Sequence, residues 1–220
     1  MTYSTDWEDR YREGAQKSLW PWSDLISAVM RHARPQNKEY RVLELGPGLG
    51  ANIPFFESLG VDYWGLDGSE SAVSAIAERF PKYAANIRQG DFSRPLPYET
   101  CFDAVIDRAA VTHNSRESIL SIIREVHRVL KPGGKFVGID WFSKSYSEFK
   151  KSSGTDPHTR KFNQGPFANL GLVHFSDQED LNEIFKDFRF LLLEEKIMRR
   201  EIPADSFVYA SWNLVAEKVK

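Results

Sequence analysis

One stretch constrains the chain more than any other. Val42-Leu43-Glu44-Leu45 is a short, mostly apolar run that leads into glycine at every second position, Gly46, Gly48 and Gly50, and then Ala51 and Asn52. A short apolar run bounded by glycine reads as a buried strand. The glycines permit positive φ and close approach of a ligand to the backbone. A helix beginning after them presents unpaired N–H groups. Strand, glycine loop and helix together form the opening of an α/β unit.

The rest of the chain repeats that alternation. Tyr63–Leu66, Asn86–Arg88, Phe102–Ile106 and Lys135–Ile139 are further strand-like runs bounded by Gly, Pro or Asp. Between them lie helical stripes. Leu25, Ile26, Val29 and Met30 form one; Ser69 is placed to cap a second, running through Ala77 with Pro81 beyond it. Ile119, Ile122, Ile123, Val126 and Leu130 form a third, stopped by Pro132-Gly133-Gly134. Ser176 and Glu179 have capping-box spacing ahead of Leu181, Ile184, Phe185 and Phe188. The C-terminus differs. Phe190–Met198 and Phe207–Val215 both read as strands, and Arg199–Ser206 between them is too short for a crossover helix, so that pair must be antiparallel. The expected fold is α/β: a Rossmann-like seven-stranded sheet, mostly parallel with an antiparallel C-terminal hairpin, and helices on both faces. We expect one domain over residues 1–220. Residues 1–35, with Trp7, Tyr11, Trp20 and Trp22, are expected to form an N-terminal helical lid. Residues 143–175 show little periodicity and are expected to be a substrate-side insertion or lid.

Several classes of function are disfavoured. Lys and Arg total 29 against 31 Asp and Glu, a formal charge of -2, so no global basic field invites nucleic acid. No apolar run is long enough to span a membrane. The single cysteine, Cys101, forbids an intrachain disulfide, and with no charged-then-apolar leader the expected location is cytoplasmic. No two of the five histidines have helical ligand spacing, so no metal site is expected.

The glycine loop alone fits several nucleotide ligands; Gly46-x-Gly48-x-x-Ala51 even meets the looser dinucleotide fingerprint. Glu44 narrows the choice. An acid there would repel a pyrophosphate and suit a cationic amino group. S-adenosylmethionine combines adenosine with a cationic amino acid. Asp67 closes the second strand, where a carboxylate can take both ribose hydroxyls. After the third strand, Asp91 could accept from an adenine amino group while Phe92 packs on the ring. Asp107 emerges at the carboxyl end of the fourth strand, followed by Arg108.

In order and spacing, Glu44-x-Gly46-x-Gly48-x-Gly50, Asp67, Gly90-Asp91, Phe102-Asp103 and Arg128-Val129-Leu130-Lys131-Pro132-Gly133-Gly134 resemble class I S-adenosylmethionine-dependent methyltransferases. The resemblance is strongest to the small-molecule branch that includes the ubiquinone/menaquinone methyltransferases, and it covers residues 40–142 well. It implies S-adenosylmethionine as cofactor. Glu44 and the glycines would hold the methionine part, Asp67 the ribose, and Asp91 with Phe92 the adenine; Asn52, Gly68 and Ser69 are expected at the cofactor. Asp107, Arg108, Trp7, Tyr11 and Trp22 are also expected at the cofactor. Asp107-Arg108-Ala109-Ala110 departs from the Asn/Asp-Pro-Pro-aromatic tetrad common in nucleobase and glutamine methyltransferases, which disfavours those targets.

The expected acceptor is a small molecule. His113, just past the fourth strand, is the first candidate for a general base, and Asp140 at the end of the fifth is the second; His113 slightly favours O-methylation. Lys144, Lys150, Lys151, His158, Arg160 and Lys161 make 143–161 basic, which would favour an anionic acceptor if that segment closes over the site. Two other readings compete: an NAD(P)-dependent oxidoreductase, and a cofactor-binding protein of this fold without turnover.

Overall fold

The computed structural model describes residues 6–13, 18–154 and 156–219; the expected lid residues 1–5 and 14–17 lie outside them. Strands β1 (Arg41–Leu45), β2 (Asp62–Asp67), β3 (Ile87–Gln89), β4 (Phe102–Arg108), β5 (Leu130–Phe142), β9 (Phe188–Arg199) and β10 (Val208–Lys218) form one sheet. Their order is β3-β2-β1-β4-β5-β10-β9. Strands β3 to β5 pair in parallel, and β10 runs antiparallel to both β5 and β9. The seven-stranded sheet and its antiparallel end are therefore as the sequence pattern implies. Successive strands step outward from β1 to β3, and the chain then crosses back to place β4 on the other side of β1. That reversal opens a crevice at the carboxyl ends of β1 and β4.

Alternation along the strands divides the core between two faces. Leu43, Leu45, Val105 and Phe136 point to one side and pack on Ile119, Ile122, Ile123, Val126 and Val129 of α5 (Arg116–Val129) and on Leu181 and Ile184 of α6 (Gln178–Ile184). Val42, Ala104, Ile106 and Val137 point to the other. They meet Leu25 and Val29 of α2 (Ser23–His32), Phe56 of α3 (Ile53–Leu59) and Ile76 of α4 (Glu70–Arg79).

Local signals and tertiary structure differ at a few boundaries. Ser69 caps α4 through the Ala72 N–H, but the helix continues past Ala77 to Arg79. Helix α5 ends at Val129, before the glycines. Leu130 already pairs with Phe102, Lys131–Gly134 bulge outward, and Lys135 resumes the register opposite Ala104. At α6 the cap is Asp177, whose carboxylate accepts from the Asp180 N–H, so the expected box of Ser176 and Glu179 does not form. Ser176 Oγ instead donates to Asp180 Oδ2.

Residues 143–175 are not structureless. Short strands β6 (Ser153–Gly154), β7 (Thr159–Lys161) and β8 (Val173–His174) form a separate antiparallel sheet. Its aperiodic sequence hides an aromatic core. Phe142 and Phe167 meet edge to face with ring centroids 4.6 Å apart, and Tyr146 stacks on Phe175 at 5.7 Å. Aromatic packing needs no fixed sequence period, which is why no stripe announced it. Among the described residues, no helix is long and apolar enough to cross a membrane.

Candidate functional site

A cavity of about 330 Å³ opens at the carboxyl ends of β1, β2 and β4. The glycine loop forms its floor. Gly46 and Gly48 have φ of 67° and 55°. A Cβ on Gly46 would lie 2.3 Å from the Ala110 Cβ, and one on Gly48 would lie 2.7 Å from the Tyr11 hydroxyl. Both positions favour glycine for conformation, and Gly46 also for space, because the Ala110 Cβ is fixed to its backbone whereas the Tyr11 hydroxyl can swing aside. Gly50 also has positive φ, but a Cβ there would meet Ile53 and Phe80. It is a packing glycine outside the cavity lining, not the expected cofactor contact.

Two buried acids face the cavity. Glu44 Oε1 accepts from Asn52 Nδ2 at 2.8 Å and Oε2 from the Tyr63 hydroxyl at 2.6 Å. Asn52 is itself oriented, because its Oδ1 accepts from the Trp22 N–H. Burial pushes the Glu44 carboxyl above its ordinary pKa, against the pull of those two donors. Asp67 accepts from the Gly48 and Ser69 N–H groups, each at 2.9 Å, and burial raises it too. A cationic ligand would relieve both acids. Asp91 and Phe92 line the same cavity, with the Phe92 ring near Gly46. The Gly90 N–H donates to the Asp67 carbonyl at 2.8 Å, which holds their loop against β2.

The N-terminal helix α1 (Asp6–Arg12) covers the opening. Glu8 accepts from Ser69 Oγ at 2.6 Å and from Ser71 Oγ at 2.5 Å, while Arg10 donates to the Ala168 carbonyl. The helix therefore bridges the start of α4 and the aromatic insertion, and it carries Trp7 and Tyr11 into the lining. Trp20, by contrast, is 80% exposed and lies outside it.

Thus Trp7, Tyr11, Trp22, Glu44, Gly46, Gly48, Asn52, Asp67, Gly68, Ser69, Asp91, Phe92, Arg108 and His113 come together as expected around one cavity. Asp107 does not. Its carboxylate faces inward and accepts from the Ala110 and Val111 N–H groups, both at 3.0 Å, and from Trp141 Nε1 at 2.6 Å. It shapes the turn that carries His113, and burial pushes its pKa up to about 7. Asp140 is also elsewhere. It lines a second cavity with Asp24 and Lys196, pairs with Arg108 Nη2 at 2.9 Å, and accepts from Ser211 Oγ. With its carboxylate bound to Arg108 and outside the main lining, Asp140 is an anchor for Arg108, and the expected role as a base does not fit. The Arg108 guanidinium in turn lies 3.7 Å from the Trp22 ring centroid.

His113 remains on the cavity wall. Its ring meets Trp7 at 5.1 Å and Phe142 at 5.6 Å, both edge to face, and its buried Nδ1 has no hydrogen-bond partner among the described residues. Burial lowers its pKa to about 4, partly offset by the Leu172 and Leu170 carbonyls. The imidazole is neutral at pH 7 and a weaker base than a histidine in water.

Sequence reasoning missed Glu8, Arg10, Asn114, Phe142, Phe167, Leu170 and Tyr209 in the lining. Glu8 sits beside Trp7 in the segment already read as a lid, which was a usable signal. The aromatics come from an aperiodic insertion and from β10, and only folding brings them here. The basic residues of 143–161 do not line the cavity. Lys144 pairs with Asp177, Lys151 pairs with Glu148, and Arg160 donates to the Asp156 and Thr159 carbonyls.

Residues 43–138 match the family described as a methyltransferase domain. A probable S-adenosylmethionine-dependent methyltransferase of Mycolicibacterium smegmatis is 28% identical over 145 residues, 66% of this chain and 54% of that protein. An uncharacterized methyltransferase of Synechocystis sp. is 36% identical over 101 residues, 46% of each chain. The chain spans about half the length of the curated relatives it matches. Among solved structures, a SAM-dependent methyltransferase of Methanosarcina mazei superposes with a TM-score of 0.69 at 17% identity, covering 86% of this chain and 97% of that one. A Burkholderia thailandensis 1,6-didemethyltoxoflavin-N1-methyltransferase, solved with its acceptor and S-adenosylhomocysteine, gives 0.67 at 17% identity, covering 98% and 87%. The sheet is that of the Rossmann-like methyltransferase fold.

Proposed function

We propose that this chain, whose residues 43–138 match a methyltransferase domain, is an S-adenosylmethionine-dependent methyltransferase acting on a small, flat, largely apolar acceptor. The observation that carries the cofactor assignment is the pair of buried carboxylates, Glu44 and Asp67, flanking a glycine cradle that side chains would fill. Glu44, oriented by Asn52 and Tyr63, would hold the ammonium. Asp67, fixed by two backbone N–H groups, would hold the ribose hydroxyls, and Asp91 with Phe92 the adenine. When bound, S-adenosylmethionine supplies an activated methyl group.

The chain's task is then to align the acceptor and exclude water. Helix α1, tied down through Glu8 and Arg10, does the excluding. Trp7, His113, Phe142, Phe167, Leu170 and Tyr209 offer the acceptor a mostly aromatic wall, and the two cations of the lining are engaged elsewhere, Arg108 with Asp140 and Arg10 with the Ala168 carbonyl. That supports a ring compound over the anionic acceptor suggested by the basic insertion, and it is compatible with the ubiquinone-like branch. With a pKa of about 4, His113 orients through its ring nitrogen and removes protons poorly. An acceptor oxygen acidic enough to be ionised at neutral pH before it binds, such as an electron-poor phenol or an enol that has already lost its proton to water, needs no base from this wall and keeps O-methylation the favoured outcome.

Isothermal titration with S-adenosylmethionine, S-adenosylhomocysteine and NAD tests the reading. The first two should bind, and Glu44→Gln and Asp67→Asn should each weaken binding at least about tenfold, the loss expected for one charge-assisted hydrogen bond. A panel of phenolic acceptors, followed by release of S-adenosylhomocysteine, then tests turnover. Binding of NAD alone would overturn the assignment; cofactor binding with no methylated acceptor in any panel would favour a binding protein.

A further inference from the structure

Away from the cavity, folding brings together two histidines and an aspartate that no spacing in the sequence announced. His158 lies just before β7, His174 in β8, and Asp180 in the first turn of α6. His174 Nε2 is 2.8 Å from Asp180 Oδ2, and His158 Nδ1 is 3.4 Å from the same oxygen. All three donor atoms lie within 4.8 Å of one another. We propose that His158, His174 and Asp180 form a zinc-class divalent metal site that fastens the 153–174 insertion to α6.

The geometry fits the donor set. Ligand atoms about 2.0–2.2 Å from a tetrahedral zinc lie about 3.3–3.5 Å apart, close to the His158–Asp180 separation, while the 2.8 Å His174–Asp180 contact would open by about 0.5 Å as a metal replaced its shared proton. Two imidazoles and one carboxylate suit zinc, cobalt or nickel better than the hard cations calcium and magnesium. His158 Nδ1 is buried without a hydrogen-bond partner among the described residues, although it faces the carboxylate. The two rings stack, with centroids 5.4 Å apart and planes 12° from parallel. The other Asp180 oxygen is held by Arg116 Nε at 2.8 Å, and Ser176 Oγ donates to Oδ2 at 2.9 Å. Such outer contacts orient a ligating carboxylate. The neighbouring charges do not forbid a cation: Arg116 also pairs with Glu183, and Lys144 pairs with Asp177. The His158 side chain keeps 17% of its surface exposed, which leaves a metal access from solvent.

The role is structural. None of the three residues lines the main cavity. Leu170 and Leu172, whose carbonyls face His113, immediately precede β8 in the chain. A metal at this site would therefore brace the acceptor side of the cavity without touching the acceptor. The inference does not depend on methyl transfer.

The test uses the full chain, stripped with a chelator and titrated with zinc chloride and, separately, cobalt chloride. One zinc per chain should bind and raise the Tm, and cobalt should give the intense visible bands of a four-coordinate site. His158→Gln should weaken zinc binding by at least about tenfold, since even outer-shell changes cost about 10–100-fold. It should leave the circular dichroism of the metal-free protein unchanged, because the His158 Nδ1 has no hydrogen-bond partner to lose among the described residues. Asp180→Asn should abolish binding; if it does not fold, His158→Gln decides. No saturable zinc binding, or equal affinity in wild type and His158→Gln, overturns the proposal and leaves a metal-free hydrogen-bonded cluster.

Discussion

Gly46→Ala tests whether the glycine loop is held by conformation, by space, or by both. Gly46 has φ of 67°. An L-residue in that region costs about 1–2 kcal/mol. The new Cβ would also lie 2.3 Å from the Ala110 Cβ, whereas carbon atoms rest at about 3.5–4.0 Å. Neither partner is the end of a flexible side chain, so backbone must move, and overpacking of this kind costs about 1–3 kcal/mol. The total is about 2–5 kcal/mol. Ala110→Gly removes the steric part and leaves the conformational part. Alone, it costs about 0.5–1 kcal/mol, because Ala110 sits in the right-handed helical region. The double variant should therefore be more stable than the sum of the single losses by about 1–3 kcal/mol. Urea unfolding of all four proteins measures this coupling. Additive losses, with coupling below about 0.5 kcal/mol, would refute the steric account and leave conformation as the only reason for glycine.

Four further outcomes follow from the same structure. Asp107, with a folded pKa of about 7 against an unfolded value of about 3.9, favours the folded state when protonated; its contribution is full below about pH 3.9 and is lost as pH rises through 7. His113 acts oppositely, contributing fully above about pH 6.5 and less as pH falls through 4. Tm measured across pH should lose the first dependence in Asp107→Asn and the second in His113→Gln; an unchanged profile would remove that group from the account. Ile122→Ala, in the fully buried stripe of α5, should cost about 2–5 kcal/mol in urea unfolding, and a loss below 1 kcal/mol would mean the helix is not packed as described. Glu8→Ala should leave global stability nearly unchanged but speed amide exchange in α1, since Glu8 ties that helix to Ser69 and Ser71; unaltered exchange would show that Trp7 and Tyr11 hold it alone.

Much of this architecture was written locally. The sheet could be read because each strand is a short apolar run ended by a turn residue. Residues 199–206 are too few to cross the sheet, so an antiparallel end was forced. The glycine-loop side of the cavity was legible for a related reason. Glu44, Gly46, Gly48, Asp67, Asp91 and Phe92 all sit at strand ends or in the loops directly after them, and parallel strands deliver such positions to one edge. Tertiary structure decided where side chains point and what they meet. Asp107 and Arg108 are adjacent in sequence, yet alternation sends one into backbone donors under a turn and the other into the cavity. Asp140 reads as a strand-end acid like Asp67, but Arg108 and Ser211 claim it. The aromatic wall, the bridging contacts of Glu8 and Arg10, and the meeting of His158, His174 and Asp180 all join residues far apart in the chain. Local periodicity carries no information about such pairs; only packing the insertion against α6 and the carboxyl ends of the strands creates them.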